Sequence, residues 1–379
     1  KSDHQLKIQM IGRRDRFKSD HQLTIQMVGR RDRFKSDHQL SVLLTKRIRV
    51  SGFFICMPKP VKTTYDLVII GAGPAGLACA IEASKAGLDY CVFDQGSVAD
   101  AIRRFPVQMT FFSTPDLLQL GNIPFISSGF RPSRSETVKY YQSVSSTYRL
   151  EVIRNARVTG LTKTARGFQI ASSIGFLSAS RVVVATGYFD TPNPFEVPGA
   201  DLPNVYRYYD EGFRYAGLEV AVVGGKNSAV ETALDLYRHG AKVTMIHRGE
   251  RLSEGVKYWI LPDLENRIKA GEITALFQTR VRRIRPGVLE VEGRTHAEIP
   301  FAALFVMIGY RPETALLEQA GVSIDPDTLG PVHDPATMET NVGGLYVAGS
   351  LAAGKYNNKI FIENGRLHGA MIVSALLKK

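Results

Sequence analysis

Two stretches that each run strand, glycine turn, helix and strand predict an α/β protein with two Rossmann-like dinucleotide-binding domains. The first is YDLVIIGAGPAGLACAIEASKAGLDYCVFDQG, from Tyr65 to Gly96; the second is LEVAVVGGKNSAVETALDLYRHGAKVTMIHRGER, from Leu218 to Arg251. A third observation sets their arrangement. Further strand-and-turn segments lie on both sides of the second unit, so the second domain is expected to be inserted into the first. The expected division is a leader over 1–56, a first domain over 62–202, the inserted domain over 203–303 and the remainder of the first over 304–379.

Composition agrees with an ordinary globular chain. The 379 residues are 44% hydrophobic and 22% charged, with 34 Gly and 18 Pro, which excludes collagen-like, disordered and disulfide-stapled chains. No apolar run approaches the roughly 18 residues of a membrane span. Cys56, Cys79 and Cys91 form no CxxC and no metal spacing, so no metal site is expected and a reducing, cytoplasmic setting is.

The net charge of +12 resembles a nucleic-acid signal until it is partitioned. Residues 1–56 hold 13 Lys/Arg and 5 Asp, or +8; the body holds 35 Lys/Arg and 31 Asp/Glu, or +4. In the leader, KSDHQLKIQMIGRRDRF (1–17) recurs as KSDHQLTIQMVGRRDRF (18–34), and a third copy begins at Lys35. Too few copies are present to stack a solenoid core. A poorly ordered extension ahead of Met57 is expected. Its Arg30, Arg31 and Arg33 suit phosphate or an anionic membrane, or an organellar address, whereas no nucleic-acid partner is expected for the body.

In the first unit, Asp66–Ile70 reads as a strand, followed by Gly71, Gly73 and Gly76 and a helix to Lys85. Gly71 permits the tight turn, Gly73 admits a pyrophosphate close to the backbone, and Gly76 lets helix and strand pack closely. The helix N-terminus, opened by Pro74 and Ala75, offers free N–H groups and a partial positive charge. Asp94, at the end of strand Cys91–Phe93 and followed by Gln95, stands where an acid accepts from ribose hydroxyls.

In the second unit Gly224 and Gly225 form the turn, but Lys226 takes the place of the second fingerprint glycine and Ala229 that of the third. Lys226, beside Asn227 and Ser228, can meet a phosphate as a point charge. Strand Ala241–Ile246 ends in His247 and Arg248 rather than an acid, which favours a 2′-phosphate and hence NADPH over NADH. Two such units in one chain suggest a flavin that takes hydride from a nicotinamide. VVVATGYFDTPNPFEVPG (182–199), with Thr186 and Gly187 in its turn, is suited to a domain crossing. FAALFVMIGYRP (301–312) is read as the first domain resuming near Leu304. TNVGGLYVAGSLAAG (340–354) is a further strand ending in Gly349.

At these residues the chain resembles the two-dinucleotide-domain flavoprotein disulfide reductases of the low-molecular-weight thioredoxin reductase type. Gly71–Gly76, Ala185–Gly187 and Thr340–Gly349 stand at matching motif positions. It is more closely similar to the bacillithiol-disulfide reductase family, on VGGKNSAVE (223–231), YWILPDLE (258–265), METNVGGLYVAGSLAAG (338–354) and IFIENGRLHG (360–369). The similarity spans about residues 62–377.

The resemblance implies FAD, NADPH as donor and a small thiol disulfide as acceptor. It implies an FAD site at Gly71, Gly73, Pro74, Ala75, Gly76, Asp94, Gln95, Thr186, Gly187, Gly349 and Ser350. The implied NADPH site is Gly224, Gly225, Lys226, Asn227, Ser228, His247 and Arg248. Two departures stand out. Where that family carries a loop cysteine this chain has Ala75, with Cys79 one helical turn on. Where thioredoxin reductases carry Gly–Asp this chain has Gly349–Ser350, and their CxxC is missing, which rules out direct thioredoxin reduction by that relay.

His368 is a candidate acid for protonating a leaving thiolate, or else a helix-surface histidine. Lys355, Asn357 and Asn358 could hold an anionic substrate, or form a solvated loop. Tyr65, Tyr188 and Phe189 either flank a ring or pack in the core; Thr110, Phe111 and Phe112 face the flavin by resemblance alone. Trp259 either lines the interdomain cleft or simply packs. A homodimer is the base-rate assembly. Other readings of the same architecture are a ferredoxin or flavodoxin reductase, a flavin monooxygenase, and a basic-leader tether carrying a degenerate flavin domain.

Overall fold

The computed structural model describes residues 62–356 and 359–378, together with the two short strands Arg49–Val50 and Phe53–Phe54, which pair antiparallel. Lys1–Pro60 and Val61–Lys379 are separate compact units. The duplicated leader, Cys56 and the Asn357–Asn358 pair lie outside the described residues.

The body begins β1 (Thr64–Ile70), α1 (Pro74–Lys85), β2 (Tyr90–Phe93), α2 (Arg134–Thr147) and β3 (Val152–Ile153). A meander follows, β4 (Val158–Thr164), β5 (Gly167–Ser172) and β6 (Gly175–Val184). Next come β7 (Val205–Tyr206), β8 (Glu219–Val223), α3 (Asn227–Arg238), β9 (Lys242–Ile246), α4 (Leu261–Lys269) and β10 (Ile273–Leu276). The antiparallel strands β11 (Thr279–Arg285), β12 (Val288–Gly293) and β13 (Ala297–Pro300) precede β14 (Ala303–Val306). The chain ends with β15 (Leu345–Val347) and α5 (His368–Leu377).

The first module is a seven-stranded sheet in the order β3-β2-β1-β6-β5-β4, with β15 added on β6. The strands β1, β2, β3, β6 and β15 run parallel, and their near-continuous Val and Ile follow from burial on both faces. β6 is shared. Its first half pairs with β5, and its last residues, Val182–Val184, pair with Leu345–Val347. Helices α1 and α5 pack together, and a Cβ on Gly369 would lie 2.6 Å from the Ala78 carbonyl carbon, so that crossing requires glycine.

The second module is a five-stranded parallel sheet in the order β7-β14-β8-β9-β10. β14 corrects the expected boundary. The first domain was expected to resume near Leu304, but the strand Ala303–Val306 lies between β7 and β8 with Val220–Val223 as its partners on β8. Phe195, Val197 and Leu202 likewise pack on the second module's core. The chain therefore crosses between modules at Thr191–Pro192 and Tyr310–Arg311, which pair antiparallel as a two-stranded hinge. Phe189, Tyr208 and Tyr310 cluster at this hinge, with ring centroids 4.7–5.5 Å apart.

At the first glycine turn, Gly71 takes φ +111°, and a Cβ there would meet the Ala185 carbonyl oxygen at 2.5 Å. A Cβ on Gly76 would meet the Gly71 carbonyl oxygen at 1.9 Å, a backbone clash that no side-chain motion relieves. Gly76→Ala is expected to destabilise the body by roughly 2–3 kcal/mol through this overpacking. Urea unfolding measures it, and a loss below about 0.5 kcal/mol would show that α1 can shift freely on β1.

Candidate functional site

Both glycine turns open on one cleft of about 2160 Å³. Single ligand pockets run to roughly 300–1,000 Å³, so this cleft has room for more than one cofactor-sized molecule. From the first module it gathers Gly71, Gly73, Pro74, Ala75, Asp94, Gln95, Thr186, Gly187, Gly349 and Ser350. From the second it gathers Gly224, Gly225, Lys226, Asn227, Ser228, His247 and Arg248, and Lys355 lies on its wall as well. Gly76 stands behind the turn, where its role is packing. Asn358 lies outside the described residues.

The first turn is built for an anion. Helix α1 has Gly73 as its N-cap and Pro74 in its first turn, with no acidic residue there and no side-chain cap. Its leading N–H groups therefore await an acceptor. A Cβ on Gly73 would meet nothing within 4 Å, so the backbone there lies open to the cleft. Thr186 Oγ1 is buried on the same wall and finds no hydrogen-bond partner among the described residues. Such a buried hydroxyl needs a partner, and a dinucleotide laid along this wall supplies acceptors for it and for the helix terminus.

Asp94 serves the turn directly: its Oδ2 accepts from the Ala72 N–H at 2.7 Å and its Oδ1 from the Gly96 N–H at 2.8 Å. Burial nevertheless holds its carboxyl above the usual value. Beside it, Gln95 Nε2 donates to Asp190 Oδ2 at 2.9 Å, and Arg104 joins Asp190 to Asp100. Arg104 thus closes an ion-pair network on the cleft wall. Nothing in the local spacing of Arg104 announces a partner 86 residues away.

The second turn is built differently. Gly224 takes φ +146°, and a Cβ there would meet the Met307 carbonyl oxygen at 2.4 Å. At Gly225 a Cβ would lie 2.3 Å from His247 Cε1, so any larger residue would have to push that ring aside. The His247 ring therefore covers the turn. Burial holds its imidazole below the usual value, with Arg248 adding repulsion. A neutral ring can donate a hydrogen bond but brings no charge, so the expected cationic pair reduces to the exposed Arg248 and Lys226. Lys226 is the N-cap of α3, which also has no side-chain cap and no acid in its first turn.

One further expectation is corrected. His368 is neither a surface residue nor a cleft acid. It is 8% exposed at the start of α5, and its Nδ1 accepts the Gly349 N–H at 3.2 Å. Burial, with His333 nearby, lowers its pKa to about 4, so at neutral pH it has no proton to give at Nδ1. It positions Gly349, where an added Cβ would lie 2.7 Å from the Ala75 Cβ. Cys79 does not replace the loop cysteine. It is fully buried away from the cleft, and burial pushes its thiol up to about 12. Trp259, by contrast, packs between modules, 5.2 Å from the Phe112 ring.

Two dinucleotide modules facing one cleft define the class: an oxidoreductase that couples two nucleotide cofactors. Residues 68–349 match the family model described as pyridine nucleotide-disulphide oxidoreductase. The chain is 39% identical over 315 residues to the bacilliredoxin reductase Bdr of Bacillus subtilis strain 168, covering 82% of this chain and 97% of that protein. It superposes on the bacillithiol disulfide reductase Bdr of Bacillus cereus with a TM-score of 0.81 at 37% identity, over 83% of this chain and 99% of that one. The thioredoxin reductase of T. acidophilum, at 21% identity and a TM-score of 0.67 over 84% of this chain and 99% of that one, shares the fold. The chain belongs to the pyridine nucleotide-disulphide oxidoreductase family, among its thioredoxin-reductase-like flavoproteins that use FAD and a nicotinamide dinucleotide.

The buried imidazole gives a pH prediction. The His368 pKa in the folded state, about 4, lies below its ordinary 6.5, so protons bind the unfolded chain first. Its contribution is complete above pH 6.5 and is lost as pH falls towards 4. His368→Asn retains an acceptor for Gly349 without the titration. The wild type is expected to lose about 3 kcal/mol more than this variant between neutral pH and that lower limit. Urea unfolding across the range measures the gap, and equal losses would refute the assignment.

Proposed function

We propose that the chain carries hydride from NADPH through FAD to the disulfide of a low-molecular-weight thiol of the bacillithiol type. One observation carries the reading: both anion-seeking helix termini open on the same cleft, and the second strand's end presents Arg248 instead of an acid. When bound, FAD supplies a ring able to accept a hydride and pass two electrons onward. The chain's own residues bind and orient. The α1 terminus with Asp94 takes one dinucleotide. The α3 terminus with Lys226 and Arg248 takes the other, Arg248 offering its guanidinium fork to the 2′-phosphate. Lys355, on the wall of the same cleft, offers a cation to a carboxylate-bearing disulfide. A homodimer in the cytoplasm is part of this reading.

A second reading draws on the cysteines. Among the described residues Cys79 and Cys91 are both buried, and no cysteine lines the cleft, where Ala75 stands at the loop position. Direct delivery of electrons to a redox protein needs no thiol, so a ferredoxin or flavodoxin reductase is the alternative.

NADPH consumption by the FAD-loaded protein, with and without bacillithiol disulfide, separates the two. Disulfide-dependent turnover is expected; a flavin that NADPH reduces but that stays idle toward disulfides would move the assignment to the alternative. Arg248→Ala is expected to raise the KM for NADPH about ten- to a hundred-fold by removing a charge-assisted phosphate contact, and to leave that for NADH nearly unchanged. Steady-state kinetics with both donors decides this, and equal effects on the two would remove Arg248 from the 2′-phosphate site.

A further inference from the structure

Residues 253–259 run from the second module's glycine turn toward the first module. Their backbone is tied to that turn at three points. The Ser253 N–H donates to the Gly225 carbonyl, 2.9 Å. Asn227 grips the segment with both ends of its amide, Oδ1 accepting from the Lys257 N–H at 2.8 Å and Nδ2 donating to the Gly255 carbonyl at 2.9 Å.

The side chains of the same segment reach across. Lys257 is 9% exposed; its ammonium pairs with Glu231 of α3 and donates to the Thr110 carbonyl of the first module at 3.4 Å. Two residues on, the Arg131 guanidinium lies 4.0 Å above the Trp259 ring, and Arg131 Nε donates to the Phe112 carbonyl at 2.7 Å. The segment is a strap: one edge is fastened to the α3 terminus, the other to the Thr110–Phe112 loop. Withdrawing an ammonium from water is costly unless its donors are met. Glu231 meets the charge from within the second module, and the remaining reach to Thr110 gains nothing for that module alone. What it fixes is the position of one glycine turn relative to the other.

We propose that Lys257 is a positioning residue for hydride transfer, holding the second module's dinucleotide turn in register with the first so that both cofactors share the cleft. This rests on the reading that Gly224–Ser228 takes the nicotinamide dinucleotide. The step served is a single hydride transfer, two electrons and one hydrogen nucleus passing from NADPH to FAD.

The chain's single tryptophan is Trp259, so its emission reports on the strap alone. The test uses the FAD-loaded full chain, with Trp259 emission, NADP+ titration and stopped-flow bleaching of the flavin at saturating NADPH. Lys257→Met is expected to shift the emission to the red and to slow bleaching about ten-fold or more, because small misplacements of reacting groups cost that much. Affinity for NADP+ is expected to change by less than about three-fold. Lys257→Arg should recover most of the rate. Arg131→Ala, which leaves the Lys257–Glu231 pair intact, should move emission and rate in the same directions. If Lys257→Met does not fold, Lys257→Met with Glu231→Gln removes the stranded carboxylate. Wild-type bleaching despite shifted emission would overturn the proposal, as would a loss of NADP+ affinity equal to the loss of rate, which would make Lys257 a ligand. The underlying site is judged separately: Lys226→Ala must weaken NADP+ binding, and undiminished binding there refutes the site, not the strap.

Discussion

Two helix beginnings without side-chain caps are the constraint on which the rest of this molecule turns. The first turns of α1 and α3 each expose N–H groups with no side-chain cap among the described residues, and neither carries an acid to quiet the local positive potential. The surroundings preserve that deficit. Gly76 presses α1 so close to β1 that its terminus cannot drift. Asp94 spends both oxygens on the loop's own backbone, so the turn is rigid before any ligand arrives. At α3 the work falls to Asn227, which faces outward to the strap and not inward as a cap. Anion binding at each end then completes a hydrogen-bond inventory that the protein leaves open.

Much of this could be read from the chain because glycine spacing is a direct record of backbone conformation. Gly71 and Gly224 sit at positive φ where turns demand it, and Gly76 marks a close crossing. The sheet that each later strand would join was not legible. β14 and β15 are both short apolar runs followed by glycine, and nothing in such a run states which sheet will receive it. Only pairing decides, and Ala303–Val306 went to the second sheet.

Side chains that act across long separations were less visible still. His368 read as a candidate acid or else as a helix-surface histidine. Its actual bond to Gly349 N–H depends on how α5 returns over α1, a tertiary fact. Lys257 sits in an undistinguished stretch, and its partners Glu231 and Thr110 are supplied by another helix and another module. Arg104 and Asp190 repeat the lesson at the hinge. Local periodicity records the elements; it carries no trace of bonds that form only when elements meet.

The shared strand β6 has a consequence for the birth of the protein. Its final residues, Val182–Val184, gain their second neighbour only from Leu345–Val347, beyond the whole inserted module. During synthesis, at about 5–20 residues per second, that strand edge waits on the order of ten seconds for its partner to leave the ribosome. An unpaired apolar edge is a template for the wrong strand. The inserted module can close its own sheet in that interval, because all five of its strands, from Val205 to Val306, have by then been made. The order of emergence thus makes the later-starting module the first whose sheet can be completed, while the strand that starts earlier keeps an open edge until the chain is nearly finished.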